Sequence, residues 1–404
     1  MLRLIKLELK HILKMRNTVI IFFILIILSL GLSILSTYGE NGYVLNNNQS
    51  TTLSGLDAVH NIQQVQKETE LSGKHLADVF EKQKEIYKKY GESTPDDVFV
   101  KDVYPYSGEK SLIQWVYGID VNYNYSKIYD KLSGNDISKF YDKLKNSRNE
   151  YLGQQLKGNT KAYELEQKRA EKIDIPFYYY PRVGWDSALD KLGLSMRIIT
   201  FLCCTLAVQL FSGNYQNGAD VVFRTTKHGR KALALSRTIA MSIVGIILYI
   251  VYMGGYTLSC AMLFGVKALK DPIQLISIFS CSPYTIGQVF MQTILLGIIS
   301  VISVIIITLC ISSRIKSPIY ALAFSIAILI APIIIQSMPS APNLVYFIGD
   351  LFPSSGIDIY GELVRCNYYY FIRSPYVITA AAILNIILGA FLTRYFYEKY
   401  EGGR

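Results

Sequence analysis

Histidine and cysteine are scarce: four and six in 404 residues, and their spacing leaves little for a metal centre. His11, His60, His75 and His228 are scattered, with no His-Glu-x-x-His or comparable ligand spacing. No Cys-x-x-Cys occurs. No GxxxxGK[ST] loop is present to cradle nucleotide phosphates, so the chain lacks the means to burn ATP itself. Neither a GxSxG elbow nor the makings of a Ser-His-Asp triad is found. Asp96 and Asp97 are adjacent and follow a proline, which reads as a solvated turn rather than an acid–base dyad. No enzymatic activity, resident cofactor or metal is therefore expected.

What is abundant is apolar sequence, collected into long runs that leave one large polar stretch, Tyr38 to Gly193. That stretch holds 21 Lys/Arg against 23 Asp/Glu, so the rest of the chain carries 20 against 8. The net charge of +10 thus belongs to the membrane-flanking parts, where an anionic lipid leaflet is a better partner than nucleic acid. Cys203, Cys204, Cys260 and Cys310 lie in apolar runs, where a thiol behaves as a small hydrophobe. The polar stretch has no cysteine. Cys281 and Cys366 fall in two further predicted outer regions, and sequence leaves open whether they pair, because spacing does not show proximity.

The expected fold is an all-α membrane protein with six transmembrane helices. An N-terminal amphipathic helix and a large, mainly helical extracellular domain between the first and second spans complete it. Residues 1–16 form the amphipathic helix, with Arg3, Lys6, Lys10 and Lys14 opposite Leu2, Ile5, Leu9, Ile12 and Leu13. Such a helix lies among headgroups with its basic face toward anionic lipid, or serves only as a positive-inside anchor. Residues 17–37 hold the first span, long enough at about 1.5 Å per residue to cross a bilayer core. It is too long for a signal peptide and is read as retained. Residues 38–193 form the outer domain: loop-like at NGYVLNNNQSTTLSG, helical from Leu56 to Tyr90, and helical again near Ile137–Leu144 and AYELEQKRAEKI.

PFYYYPRVGWDSALDKLG returns the chain to the membrane, its Tyr and Trp suited to an interface. Residues 194–404 supply the remaining five spans: Leu194–Ser212, Thr238–Phe264, Ile286–Ile311, Ile319–Met338 and Tyr376–Thr393. Pro332 predicts a kink or break in the fifth. Whether Ile273–Cys281, or the outer segment 339–375, re-enters the membrane stays open. The spans are expected to carry no ionisable side chains at membrane depth, where proton-coupled carriers commonly need them. Lys and Arg concentrate in the segments assigned to the inside, which places both termini in the cytoplasm of a cell membrane.

The loop 213–237 between the second and third spans is the most informative stretch. Within Phe211 to Arg237 stand Arg224, Lys227, Arg230, Lys231 and Arg237 against the single acid Asp220. A loop that merely fixes topology would look similar. Its residue order, however, resembles the ABC-2 type permease family, the membrane subunits of ATP-driven exporters, with a Gram-positive-like aromatic-Gly-Trp-Asp approach to the second span. Members commonly leave a helix through Phe, an acid, an aromatic and Gly, then show a Thr or Ser pair and Gly-Arg. The counterparts here are Phe211, Asn214, Tyr215 and Gly218, then Thr225, Thr226, Gly229 and Arg230, followed by Lys231. Asn214 departs from the pattern, standing where relatives commonly have Glu.

The resemblance implies a bacterial permease that works with two ABC ATPase subunits and a second permease copy, identical or related. ATP and Mg2+ would bind in the partner ATPase. The loop and the N-terminal helix would meet that motor, and the cargo would be amphipathic or hydrophobic: an antimicrobial peptide, a drug or a lipid-like molecule. Two readings stand beside it: a non-transporting sensor or immunity protein whose outer domain binds a peptide, and an ion-coupled secondary carrier using helices broken near Pro332.

Overall fold

The computed structural model describes residues 1–91, 93–118, 126–225, 230–338 and 342–399. Helix accounts for 76% of the chain, and six helices are long and apolar enough to cross a membrane, as an all-α membrane protein requires. They are Arg16–Leu35, Trp185–Gln216, Lys231–Phe264, Ile286–Ser312, Pro318–Gln336 and Ser374–Lys399, called here the first to sixth. The second, third and sixth overrun the expected spans. Hydropathy marks where the apolar surface starts, whereas the helix continues through Asp186 and Asp190 on one side and Lys231 on another.

The second, third and fourth helices are the most enclosed, and the first, fifth and sixth turn more of their apolar surface outward. Association of helices in lipid depends on close packing rather than on escape from water. Small residues allow it: a Cβ on Gly255 of the third helix would lie 2.8 Å from Ser29 Oγ of the first. Two tyrosines inside the bundle have their hydroxyls bonded. Tyr249 donates to the Ile294 carbonyl at 2.7 Å and Tyr256 to that of Ala188 at 3.0 Å.

The fifth helix runs unbroken through Pro332, where a kink or break was expected. Proline has no N–H to give to the carbonyl four residues back, that of Ile328. Ser354, from the segment after the helix, donates to that carbonyl at 2.7 Å. The expectation of spans free of ionisable groups fails at Arg197, which lies inside Leu194–Ser212. Arg197 sits on the second helix and pairs with Asp358 at 2.7 Å.

The bundle has two faces. One, called here the termini face, carries the N-terminal helix, the end of the sixth helix at Lys399 and the described part of the basic loop; the other carries the large polar domain and the segments between helices three and four and between five and six. The domain is not helical from its start. Asn41–Asn46 and Gln49–Ser54 form an antiparallel hairpin where a loop was expected. Asn47 and Asn48 turn it at φ 48° and 62°, a left-handed pair that asparagine tolerates and that suits the twist of a hairpin. The expected Leu56–Tyr90 helix is two helices, Gly55–Val65 and Gly73–Tyr90, the second capped by Ser72, whose side chain accepts from the His75 N–H at 3.2 Å. Between them Thr69–Glu70 pairs with Tyr178–Tyr179, which brings the beginning and end of the domain together.

Residues 273–281 pack upward into this domain. Leu275 and Ile278 join Leu71, Phe80, Leu112 and Phe140 in one apolar cluster. Trp185, expected at a lipid interface, is instead fully buried between Phe264 and Phe290, with its indole N–H on the Gly265 carbonyl at 3.0 Å. Asp271, in the segment between the third and fourth helices, is fully buried and accepts the Tyr180 N–H at 3.0 Å.

Burial pushes the Asp271 carboxyl up to about 8, against the smaller opposing pull of the Tyr180 N–H and of Arg182. The native state therefore holds this proton more tightly than the unfolded chain does. The stabilisation is complete below about pH 4, the ordinary aspartate range, and is lost as pH rises through about 8. Thermal unfolding of the purified protein across that range should show the midpoint falling with pH. Asp271→Asn, which keeps an acceptor for Tyr180, should flatten the slope; an unchanged slope would remove Asp271 as its source.

Candidate functional site

At the termini face the second helix does not end cleanly. Gln209–Gly213 makes a π-helical turn, followed by the short helices Asn214–Gln216 and Ala219–Thr225, with Gly218 between them at φ 70°. A left-handed residue of this kind reverses the chain at little cost only when it is glycine. The widened turn presents the Leu210 carbonyl to side chains: Asn214 Nδ2 and Arg237 Nη1 each donate to it at 2.7 Å. This gives position 214 a use for an amide. A glutamate there has no hydrogen to offer a carbonyl.

Arg237 is the centre of this arrangement and is 1% exposed. Its guanidinium carbon lies 5.5 Å from the Phe211 ring centroid and 4.9 Å from that of Phe223. Glu8, from the N-terminal helix, approaches it to 3.5 Å. A buried guanidinium needs such neighbours, since aromatic faces and a carboxylate replace its lost water. The third helix, the loop and the N-terminal helix are thereby tied at one side chain.

A second knot joins the loop to the last helix. Asp220, 5% exposed, accepts from Arg224 Nε at 2.6 Å and from the Tyr397 hydroxyl at 2.8 Å. Arg224 also donates to the Tyr397 carbonyl at 2.8 Å and lies over its ring, 4.5 Å from the centroid. The other side of the Tyr397 ring environment is closed by Phe211 at 5.0 Å and Tyr215 at 6.4 Å. Tyr215 in turn donates to the Ser313 carbonyl at 2.8 Å. Ser212 and Ser312 lock the ends of the second and fourth helices: the Ser212 N–H donates to Ser312 Oγ at 3.0 Å, and Ser312 Oγ to the Val208 carbonyl at 3.0 Å.

The residues singled out from sequence divide into two groups. Asn214, Tyr215 and Gly218 belong to the docked part of the loop. Thr225 and Arg230 are exposed. The Thr225 hydroxyl donates within its own helix, to the Val222 carbonyl at 2.8 Å. Thr226 and Gly229 lie outside the described residues. Lys231 pairs with Glu398 of the sixth helix at 2.9 Å. Arg3, Lys6, Lys10 and Lys14 are all exposed along one side of the N-terminal helix, while Ile12 is buried and Leu9 packs against the bundle core. Leu2 and Leu13, placed on the apolar side, are exposed.

Sequence reading counted Asp220, Arg224 and Arg237 among the charges of the loop without giving any of them a role, and passed over Tyr397 and Glu8. One signal was available: the single acid of the loop stands four residues before an arginine, a spacing that pairs them on a helix. No signal pointed to Glu8 or Tyr397, each distant in sequence. Among the described residues this face holds no cluster of metal-ligating side chains; its geometry is a set of buried polar contacts that tie separate elements together. No protein-family model and no curated protein matches the chain.

Asp220→Ala takes the carboxylate from the Arg224 guanidinium, only 12% exposed, and should cost about 3 kcal/mol of stability. Tyr397→Phe removes one hydroxyl bond, for about 1 kcal/mol. The double variant should lose less than the two costs together, because the hydroxyl has no carboxylate left to bind. Additive shifts in thermal unfolding would show that the three groups act separately.

Proposed function

We propose that this chain is the membrane subunit of an ATP-driven exporter of the ABC-2 type, set in a bacterial cell membrane with both termini and the basic loop in the cytoplasm. The large domain then lies outside. Two separate ATPase subunits, carrying ATP and Mg2+, and a second permease copy complete the assembly. The cargo class that fits is amphipathic or hydrophobic.

The observation that carries this reading is the construction of the loop. Its base is bound to three other elements: the N-terminal helix through Arg237, the end of the fourth helix through Tyr215 and Ser212, and the sixth helix through Asp220. Its flanks at Thr225 and Arg230, and the basic side of the N-terminal helix, stay exposed. A loop that only fixed topology by its charge would need no buried base. A lever needs both a rigid base and a free contact surface. Pressure from a closing motor would pass through the base into the second, third, fourth and sixth helices and shift them between two packed arrangements. Arg230 offers several fixed donors to a carboxylate on the motor.

Arg230→Glu should leave membrane insertion and thermal stability unchanged, because the side chain is exposed, while reducing ATPase copurification and export at least tenfold. Normal copurification and export by that variant would remove Arg230 from the contact. Purification of the native complex without any ATPase would sink the exporter reading. Activity in vesicles on an ion gradient without ATP would favour a carrier, and activity that survives inactivation of the ATPase would favour a sensor.

A further inference from the structure

We propose that Cys281 and Cys366 form a disulfide that closes the junction between the large domain and the two helix-connecting segments beneath it. Cys281 lies between the third and fourth helices, Cys366 between the fifth and sixth, and Glu166 in the domain. The two Sγ atoms and a Glu166 carboxylate oxygen all lie within 4.8 Å of one another. Both thiols are free and buried, in an apolar cluster with Leu152, Leu156, Ala162 and Ala170. Cys366 Sγ donates to Glu166 Oε2 at 3.6 Å.

Three sulfur and oxygen ligands also resemble a metal site, but the charges around them oppose one. Glu166 is fully buried and already compensated: Arg169 and the Tyr368 hydroxyl reach its Oε1 at 2.8 Å, and Arg373 Nε at 3.1 Å. The buried Arg148 interacts electrostatically with both thiols. A dication would meet three guanidiniums and a carboxylate that is already spent. A disulfide is neutral and suits the apolar wall. Forming it takes a thiol from contact with the carboxylate without leaving a new charge.

The approach is present too. A polar cleft of about 500 Å3 opens beside the pair, with Cys366, Glu362, Arg365 and Tyr368 in its wall. Through it an incoming disulfide, held by a thiol–disulfide exchange protein, reaches Cys366. The Cys366 thiolate, its proton released to solvent, attacks one incoming sulfur, and the incoming S–S bond breaks to free one thiolate. The Cys281 thiolate then attacks the Cys366 sulfur of the mixed disulfide and frees the second. Two thiols of this chain are oxidised to one disulfide, and one incoming disulfide is reduced to two thiols, which take up the two protons. The step rests on the outward orientation of the domain, since such bonds persist in oxidising compartments. It does not rest on the transport reading.

The test counts thiols on the full-length protein in native membranes treated with oxidised glutathione, then denatured and modified with a polymer-tagged maleimide. Of the six cysteines, four should react without reductant and six after it. Cys281→Ser and Cys366→Ser should each show five with or without reductant, which also identifies the pair. Six reactive thiols without reductant would overturn the proposal. Thiols that become reactive only after chelation, with stoichiometric zinc in the sample, would overturn it in favour of a metal. A membrane-impermeant maleimide on Glu85→Cys, an exposed position of the domain, separates the causes in intact cells. Labelling there with no disulfide means that the pairing itself is wrong; absence of labelling means that the orientation is wrong and the pair falls with it.

Discussion

A helix surrounded by hydrocarbon has to satisfy its own carbonyls, because no water is there to do so. At three carbonyls where this chain departs from regular helix, a side chain takes the freed acceptor. The π turn of the second helix exposes the Leu210 carbonyl, and Arg237 and Asn214 bind it. Ser312 takes the Val208 carbonyl nearby. Pro332 frees the carbonyl of Ile328, and Ser354 binds that. The irregular places are therefore the places where separate elements are joined, and the two connected faces of the bundle follow from them.

The same constraint gives the termini face its stiffness. Arg237, Asp220 and Tyr397 are buried polar groups that persist only because each has several partners. Loss of one partner leaves the others stranded, so the loop base behaves as a unit. In an exporter of the proposed kind, that unit is where a push becomes a helix displacement. The exposed flanks of the loop carry charge but little packing, so in the proposed exporter contact with a partner and transmission through the base would fall to different residues.

Much of the architecture was legible in the sequence because apolar runs are long and unambiguous. All six helices lie where apolar stretches of membrane-spanning length occur, with Arg197 the charge inside the second, and the large polar segment falls between the first two helices. The ends were less legible. Hydropathy stops at the last apolar residue, whereas hydrogen bonding carries helices on through Asp186 or Lys231. The hairpin at Asn47–Asn48 was missed because its strands are polar and lack strict alternation, although two asparagines in the turn are a recognisable cue. At the loop, Tyr215 and Gly218 were visible through their order in the chain. Glu8, Arg237 and Tyr397 were not, because what makes them matter is contact across hundreds of residues.

The bond from Ser354 to Ile328 ties the middle of the fifth helix to the stretch that follows it, on the side of the large domain. A proline ordinarily gives a helix freedom to bend, since one rung of its ladder is missing. Here the missing rung is supplied by a different part of the polypeptide. Flexing at that point means parting from Ser354, so any tilt of the helix is registered at once in the segment that holds Ser354 and, four residues on, the Asp358 partner of Arg197. The fifth helix is less a free hinge than a latch whose catch is mounted on its neighbour.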